Sequence, residues 1–274
     1  SRSKMTDIDE CYNLASELVL LAGEIIQDSI NKKKTTHCKS IDWDLVTEYD
    51  HKIEDEMIKR LTKRFPSHKF IGEESVAKNG LPKLTDDPTW IIDPIDGTTN
   101  FVHQFPHTCI SLALLINKKA EIGIVYNPVM KQFFSAKRNC GAFLNGKPIQ
   151  TSHIQGKHNY LLLLYSKTIF NVEIKIKINN FAIIIRSLGT AALTLCYVAM
   201  GAVEAYHIEG IDAWDVAAGK LIIEEAGGIV ISTNGDELDL MIPKVIAACN
   251  RSIAEQLVEL FKKADLKSIN KNLY

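Results

Sequence analysis

The sequence predicts a protein of mixed α+β and α/β character with two sheet regions, and three features carry that prediction. Near the start Leu14, Leu18, Leu21 and Ile25 recur at helical spacing. Short apolar runs separated by turn residues then crowd the middle of the chain, as strands of an antiparallel sheet do. From Tyr160 onward runs of buried-strand type alternate with helical ones, which points to a second, mixed sheet.

Thr6 or Asp7 can cap a first helix reaching about Ile30. The basic, polar stretch 32–39 reads as a solvated loop. A second helix fits 50–63, with Ile53, Met57, Ile58 and Leu61 on one side and Pro66 just past its end. Phe70-Ile71-Gly72 reads as a strand end opened by glycine. Trp90-Ile91-Ile92 reads as the end of a buried strand that stops at Asp93, because Pro94 removes a ladder donor. Strands are expected at 110–116, 121–126 and 132–136, and Asn145-Gly146 marks a turn between 142–144 and 147–149. Further on, 161–165 and 182–186 read as strands, 190–200 and 215–226 as helices, and 245–249 as a last strand. Asn250 caps a terminal helix through about Ala264. No repeat or low-complexity linker interrupts the series. A single domain over 5–265 is expected, with sheet regions at roughly 5–155 and 156–265 and with 1–4 an expression remnant ahead of Met5.

Composition excludes several functions. The chain has 274 residues, 46% of them hydrophobic, and Lys+Arg 32 against Asp+Glu 33 gives a net charge of -1. That balance, without a basic block, argues against a nucleic-acid partner. No apolar stretch is long enough to span a bilayer and no signal peptide follows Met5, so a cytoplasmic protein away from membranes is expected. The six cysteines are dispersed without a C-x-x-C pair, which favours reduced packing thiols over disulfides or zinc. His103 and His107 stand four apart, but Pro106 breaks the helix a zinc pair would need. Ser166 has no nucleophile-elbow context.

The chemistry concentrates in Trp90-Ile91-Ile92-Asp93-Pro94-Ile95-Asp96-Gly97-Thr98-Thr99-Asn100. A lone D-P-x-D is ordinary turn chemistry. Here it ends a buried strand, so Asp93 and Asp96 can point into one cavity with the Ile95 carbonyl between them. Three hard oxygen donors suit Mg2+ or Mn2+ rather than zinc. The backbone N–H groups that follow, at Gly97 and Thr98, open a helical turn where a phosphate can be held.

Asp93-Pro94-Ile95-Asp96-Gly97-Thr98-Thr99-Asn100-Phe101 resembles, without a gap, the first signature of the inositol monophosphatase family of Mg2+-dependent, lithium-sensitive phosphatases. Gly72-Glu73-Glu74-Ser75 upstream and Trp214-Asp215-Val216-Ala217-Ala218-Gly219 downstream match its other motifs in order and approximate spacing. The likeness runs from about Asp7 to about Leu260. It implies an αβαβα sandwich with the site between two sheet regions. It also implies a homodimer in which loop 101–107 lies near the partner.

The same resemblance assigns roles. Glu73, Asp93, Asp96, Asp215 and the Ile95 carbonyl would bind two to three Mg2+ ions, with Asp93 bridging two of them and a weaker third ion near Glu73. Four carboxylates come close to balancing two divalent charges. Glu74 would be structural and Trp214 packing. Hydrolysis would proceed by direct attack of a metal-activated water oriented by Thr98 and Glu73, with no covalent enzyme intermediate. Asp44, in Asp44-Leu45-Val46-Thr47, would hydrogen-bond Thr98. Asp50 would support the loop, and Lys39 would lie near the weak ion.

The substrate implied is a small phosphorylated polyol, foremost myo-inositol monophosphate, bordered by Asp96, Gly97, Thr98, Ala191 and Asp215. Arg186-Ser187-Leu188-Gly189-Thr190-Ala191-Ala192 matches the family stretch that presents a backbone group to a ring hydroxyl. The chain departs elsewhere. Inositol-specific members have a glutamate two residues before the glycine that follows Tyr206; here that position is Ile208, and Glu209 is shifted by one. Either the chain bulges and Glu209 reaches the substrate, or Ile208 faces it. Segment 166–180 is also shorter than usual. Another sugar or nucleotide phosphate, or a catalytically weak regulatory role, are the alternative functions.

Overall fold

The computed structural model describes residues 7–38, 45–154, 160–164 and 182–271. Helix α1, Ile8–Ser29, begins at Asp7, whose carboxylate accepts the Asp9 and Glu10 N–H groups at 3.0 and 3.1 Å. Its apolar stripe, Cys11, Ala15, Leu18, Val19, Ala22 and Ile26, is buried. Stretch 32–39 is not wholly a loop as the sequence reading has it. Thr36–Cys38 forms strand β1, paired antiparallel with β2, Leu45–Thr47. Thr47 then caps α2, Glu48–Arg64, in a reciprocal box with Asp50.

Helices α1 and α2 cover one face of a seven-stranded sheet of order β3-β4-β5-β6-β7-β8-β9. Its strands are β3 Lys69–Gly72, β4 Thr89–Asp96, β5 Cys109–Ile116, β6 Lys119–Asn127, β7 Gln132–Lys137, β8 Ala142–Leu144 and β9 Lys147–Ile149. All neighbours are antiparallel except β3 and β4, which run parallel across the short helix α3, Glu73–Asn79. The Asn145-Gly146 turn has positive φ at both residues, as the tight hairpin requires.

The two-residue period of β4 sorts its side chains. Trp90 and Ile92 join the core under α1 and α2, while Ile91 joins the central core on the other face. The strand does not stop at Asp93. Asp93 pairs with Ser111 and Asp96 with Cys109, so three steps on β4 match two on β5 and the ladder absorbs one extra residue. Pro94 is tolerated at this bulge. Residues three apart on a regular strand face opposite ways, and the extra residue turns Asp96 to the side of Asp93.

The central layer is α5, Ala191–Ala199, and α6, Ala213–Glu225. Both are apolar nearly all round, because they lie between two sheets. The second sheet has order β11-β10-β12-β14-β13, from β10 Tyr160–Leu164, β11 Ala182–Arg186, β12 Ala205–Glu209, β13 Ile229–Ser232 and β14 Lys244–Ala248. Its first three strands are parallel to one another and the rest antiparallel. Helix α7, Arg251–Lys271, covers the outer face through Ile253, Leu257, Val258 and Phe261. The result is an αβαβα sandwich, as expected. Cys11, Cys109, Cys140, Cys196 and Cys249 are free thiols.

Candidate active site

Three carboxylates converge where the large sheet meets the central layer. Oxygen atoms of Asp93, Asp96 and Asp215 lie within 4.8 Å of one another. Asp93 and Asp96 are 2% and 6% exposed, while Asp215 is partly open. The β4 bulge supplies the first two. In it the Ile95 N–H donates to Asp93 Oδ1 at 3.0 Å, closing the turn. Asp215, in the first turn of α6, accepts the Asp212 N–H through Oδ2 at 2.7 Å.

Burial and mutual repulsion govern these groups. Burial first, then the charges of Glu73, Asp96 and Asp215, hold the Asp93 carboxyl well above the usual carboxylate range. Asp215 is raised in the same way, by burial and then by Asp96. Asp96 is pushed up to about 6 by burial, and the N–H groups at the start of α5 oppose the shift. Its Oδ2 accepts the Ala192 N–H at 2.8 Å and lies 3.6 Å from Cys109 Sγ; its Oδ1 lies 3.3 Å from the Ala191 nitrogen. Three crowded carboxylates held in a dry corner fit a divalent cation by charge and donor type.

Glu73 stands outside this tight group. It opens α3, is partly exposed, and lies within hydrogen-bond reach of Asp93. The corner that presents it is held from below by Glu54 on α2, which accepts the Glu74 and Ser75 N–H groups at 2.8 Å each and the Ser75 hydroxyl. Sequence reading missed Glu54. Its signal was a carboxylate on the apolar side of α2, beside Ile53 and Met57. Glu74 turns away into the protein, 5% exposed and 3.5 Å from His51.

Gly97 turns the chain from β4 into α4, Thr98–Val102, with φ +85°. A Cβ there would lie 2.5 Å from Thr190 Cγ2 and 3.0 Å from the His107 carbonyl, so glycine is needed for both conformation and space. Thr98 Oγ1 lies 3.0 Å from the Ile95 carbonyl and 3.2 Å from Asp50 Oδ1. Asp44 and Lys39, named in the sequence reading, lie outside the described residues; among those described, the carboxylate that meets Thr98 is Asp50. Asp50 is fully buried because it closes the α2 capping box, accepting the Thr47 N–H at 2.8 Å and hydroxyl at 2.5 Å. The Thr47-x-x-Asp50 spacing was the available signal.

A cavity of about 150 Å3 opens beside the carboxylates, lined by Asp96, Asp215, Ser187, Leu188, Gly189, Thr190, Ala191, Thr194, Tyr206, Ile208 and Ile211. The β12–β14 ladder runs without a register shift from Ala205↔Ala248 to Glu209↔Lys244. There is no bulge at Glu209. Tyr206 and Ile208 face the cavity layer, whereas Ala205 and His207 face α7, where His207 stacks on Phe261 at 4.0 Å. Glu209 shares the His207 side, 3.9 Å from its Nε2. Of the two sequence alternatives, the structure has the second: Ile208 occupies the cavity wall, and Glu209, named as a substrate contact, does not line the cavity.

Fold and site together describe a layered αβαβα sandwich with a carboxylate centre suited to divalent cations. The inositol monophosphatase family model matches residues 7–266. Human inositol monophosphatase 1 is 42% identical over 258 residues, covering 91% of this chain and 93% of that protein. The inositol monophosphatase of Mesembryanthemum crystallinum is 42% identical over 253 residues, 89% of this chain and 93% of its own. Among solved structures, the Thermotoga maritima IMPase superposes with a TM-score of 0.85 at 29% identity, covering 94% of this chain and 99% of that one. The chain belongs to the inositol monophosphatase family, and with it to the metal-dependent phosphoric monoester hydrolases. Among the described residues no helix is long and apolar enough to cross a membrane.

Proposed function

We propose that this protein hydrolyses phosphate monoesters of small polyols in a Mg2+-dependent reaction, with myo-inositol monophosphate the leading substrate. The observation that carries the reading is a buried carboxylate triad at the mouth of a small cavity flanked by hydroxyl and backbone polar groups. Glu73, Asp93, Asp96, Asp215 and the Ile95 carbonyl would hold two to three Mg2+ ions, or Mn2+, since all their donors are hard oxygens. Such ions, when bound, neutralise phosphate charge and acidify water.

The chain's own groups do the remaining work. Thr98 Oγ1 orients the attacking water, taking its proton and passing its own to a carboxylate, Asp44 as the family pattern has it or Asp50, whose Oδ1 lies 3.2 Å away; Glu73 orients the same water from the other side. The Gly97 and Thr98 N–H groups hold phosphate oxygens at the start of α4. Asp96, Ala191 and Asp215 border the alcohol. No nucleic acid or membrane partner enters this reading, and it takes the protein to be a homodimer.

A phosphate-release screen over inositol, sugar and nucleotide phosphates with Mg2+ tests it. Release from inositol 1-phosphate is expected. Release confined to sugar or nucleotide phosphates would move the substrate assignment, and none on any ester with Mg2+ or Mn2+ would overturn the enzyme reading in favour of a regulatory homologue. Li+ at millimolar levels should inhibit by competing at the Asp93, Asp96 and Asp215 position. Light scattering should give twice the 30.7 kDa chain mass.

A further inference from the structure

The cavity beside the carboxylates has two unlike flanks. One flank is polar: Ser187, the backbone at Gly189 and Ala191, and Thr190, whose hydroxyl is buried without a hydrogen-bond partner. Thr190 precedes α5 but does not cap it through its side chain, so that hydroxyl has no partner among the described residues. Thr194 on the same flank is satisfied, donating to the Thr190 carbonyl at 2.6 Å. The opposite flank is apolar. Tyr206 and Ile208 project from β12 and are 5% and 3% exposed; Ile211 and Leu188 complete it. Among the described lining residues the charged groups are Asp96 and Asp215 alone, both at the phosphate end. Glu209, the next residue along β12, is fixed on the far side of the strand by an unbroken ladder.

We infer that this apolar flank, centred on Ile208, sets the substrate class: phosphate monoesters of small alcohols that present hydroxyls to Thr190 and Ala191 but need none on the face toward Ile208. The inference rests on the phosphatase reading above. A hydroxyl turned toward Ile208 loses water and gains no partner. A methylene in its place loses nothing and gains contact. Ile208, Ile211 and Leu188 carry no polar side-chain atom, so their part of the wall has no means of rejecting an analogue that lacks the hydroxyl, because strong discrimination arises where a site's own polar group is left unpaired. Size supplies the other limit: a cavity of about 150 Å3 is below the ordinary range for drug-sized ligands and suits a small alcohol. Selectivity thus comes from exclusion of bulk and from the polar flank, and the apolar flank makes the enzyme tolerant.

The test compares kcat/KM of the full chain with Mg2+ on inositol 1-phosphate, the monophosphate of cis-cyclohexane-1,2-diol, and glycerol 2-phosphate. The two less hydroxylated esters are expected within about tenfold of inositol 1-phosphate, or above it. A preference for inositol 1-phosphate of more than about a hundredfold over the cyclohexanediol ester would overturn the inference, since some group must then read the missing hydroxyls. Turnover of none of the three would remove the phosphatase reading, and this inference with it. In parallel, Ile208→Gln is expected to raise the inositol preference about tenfold, chiefly through KM, by giving the stranded hydroxyl a partner. Unchanged preference in a variant that melts like the parent counts against Ile208 as the determinant. If that variant fails to fold, the substrate series on the unmodified chain still decides.

Discussion

The carboxylate end and the alcohol end of one cavity are made of different material by the same layers. At the carboxylate end, a strand bulge, a helix start and a glycine turn force Asp93, Asp96 and Asp215 together against their repulsion. At the alcohol end, a regular strand sets Tyr206 and Ile208 side by side with nothing strained. The first end stores electrostatic cost that a cation removes; the second offers shape and apolar surface. On the proposed reading, reaction type is rigidly specified and substrate choice loosely so.

The largest effect should come from removing one charge at the strained end. Asp93→Asn is expected to lower turnover by on the order of 10^3-fold or more, since electrostatic clamping depends on it. The metal-free variant should melt no lower than the parent, because an amide relieves the repulsion that Glu73, Asp96 and Asp215 exert there. The stabilisation that Mg2+ gives the parent should largely vanish. Near-normal activity in metal-scrubbed buffer would refute the site.

The same end predicts a pH dependence for the metal-free parent. Asp96 titrates near 6 when folded, against an ordinary value of 3.8, and Asp93 and Asp215 are also raised. Between the unfolded and folded values the native state holds more protons, so stability falls as pH rises through that window and stays low above it. Saturating Mg2+ should flatten the fall. A melting temperature independent of pH from about 4 to 7 in the metal-free protein would show that the carboxylates are not strained.

Thr98→Ala should lower kcat by about 10^2-fold, within the range for proton-transfer groups, while the Mg2+-induced rise in melting temperature persists. That split separates proton handling from cation holding. Loss of both together would assign Thr98 to the cation site instead.

How the sequence reports on the two ends follows from range. Asp93, Asp96, Gly97 and Thr98 share one short run, and strand, proline and glycine signals fall within it. The bulge itself was hidden, because only pairing with β5 reveals the extra residue. The Asp50 contact was hidden as well, since no sequence signal tells that the capping aspartate of α2 comes to lie beside Thr98. Glu54 was hidden because its partners, Glu74 and Ser75, lie twenty residues away. At the alcohol end the strand Ala205–Glu209 was not identified at all, and its facing depends on a partner strand ending at Ala248. A one-residue ambiguity between Ile208 and Glu209 is the kind that only register resolves.

Between the two ends lies a contact that couples them. Gly123 on β6 packs directly on α6, and a Cβ there would lie 2.7 Å from the Ala218 carbonyl oxygen. That backbone cannot move without carrying Asp215 along α6. Gly123→Ala should cost roughly 1–3 kcal/mol, seen as a melting temperature lower by several degrees. It should also weaken Mg2+ activation, since Asp215 moves relative to Asp93 and Asp96. A destabilised variant with unchanged Mg2+ dependence would show that the layer yields without disturbing the carboxylates.

The smallest effect should belong to Glu209, and its smallness is informative. The side chain is about half exposed, faces the α7 side of β12, and its carboxyl is held below the usual range first by its hydrogen bond to His207. An exposed pair of this kind contributes about 1 kcal/mol or less. Glu209→Ala should therefore leave kcat/KM on inositol 1-phosphate within about twofold of the parent. Its effect on glycerol 2-phosphate should be the same, because neither alcohol reaches that face. A loss of tenfold or more confined to inositol 1-phosphate would mean that β12 rearranges when substrate binds, swinging the carboxylate through the ladder into the place of Ile208. Such a movement would break the Glu209↔Lys244 end of the ladder, and faster hydrogen exchange at those amides in the substrate complex would accompany it. Equal, small effects on both esters leave the alcohol end as built here, apolar and permissive, beside a carboxylate end that is neither.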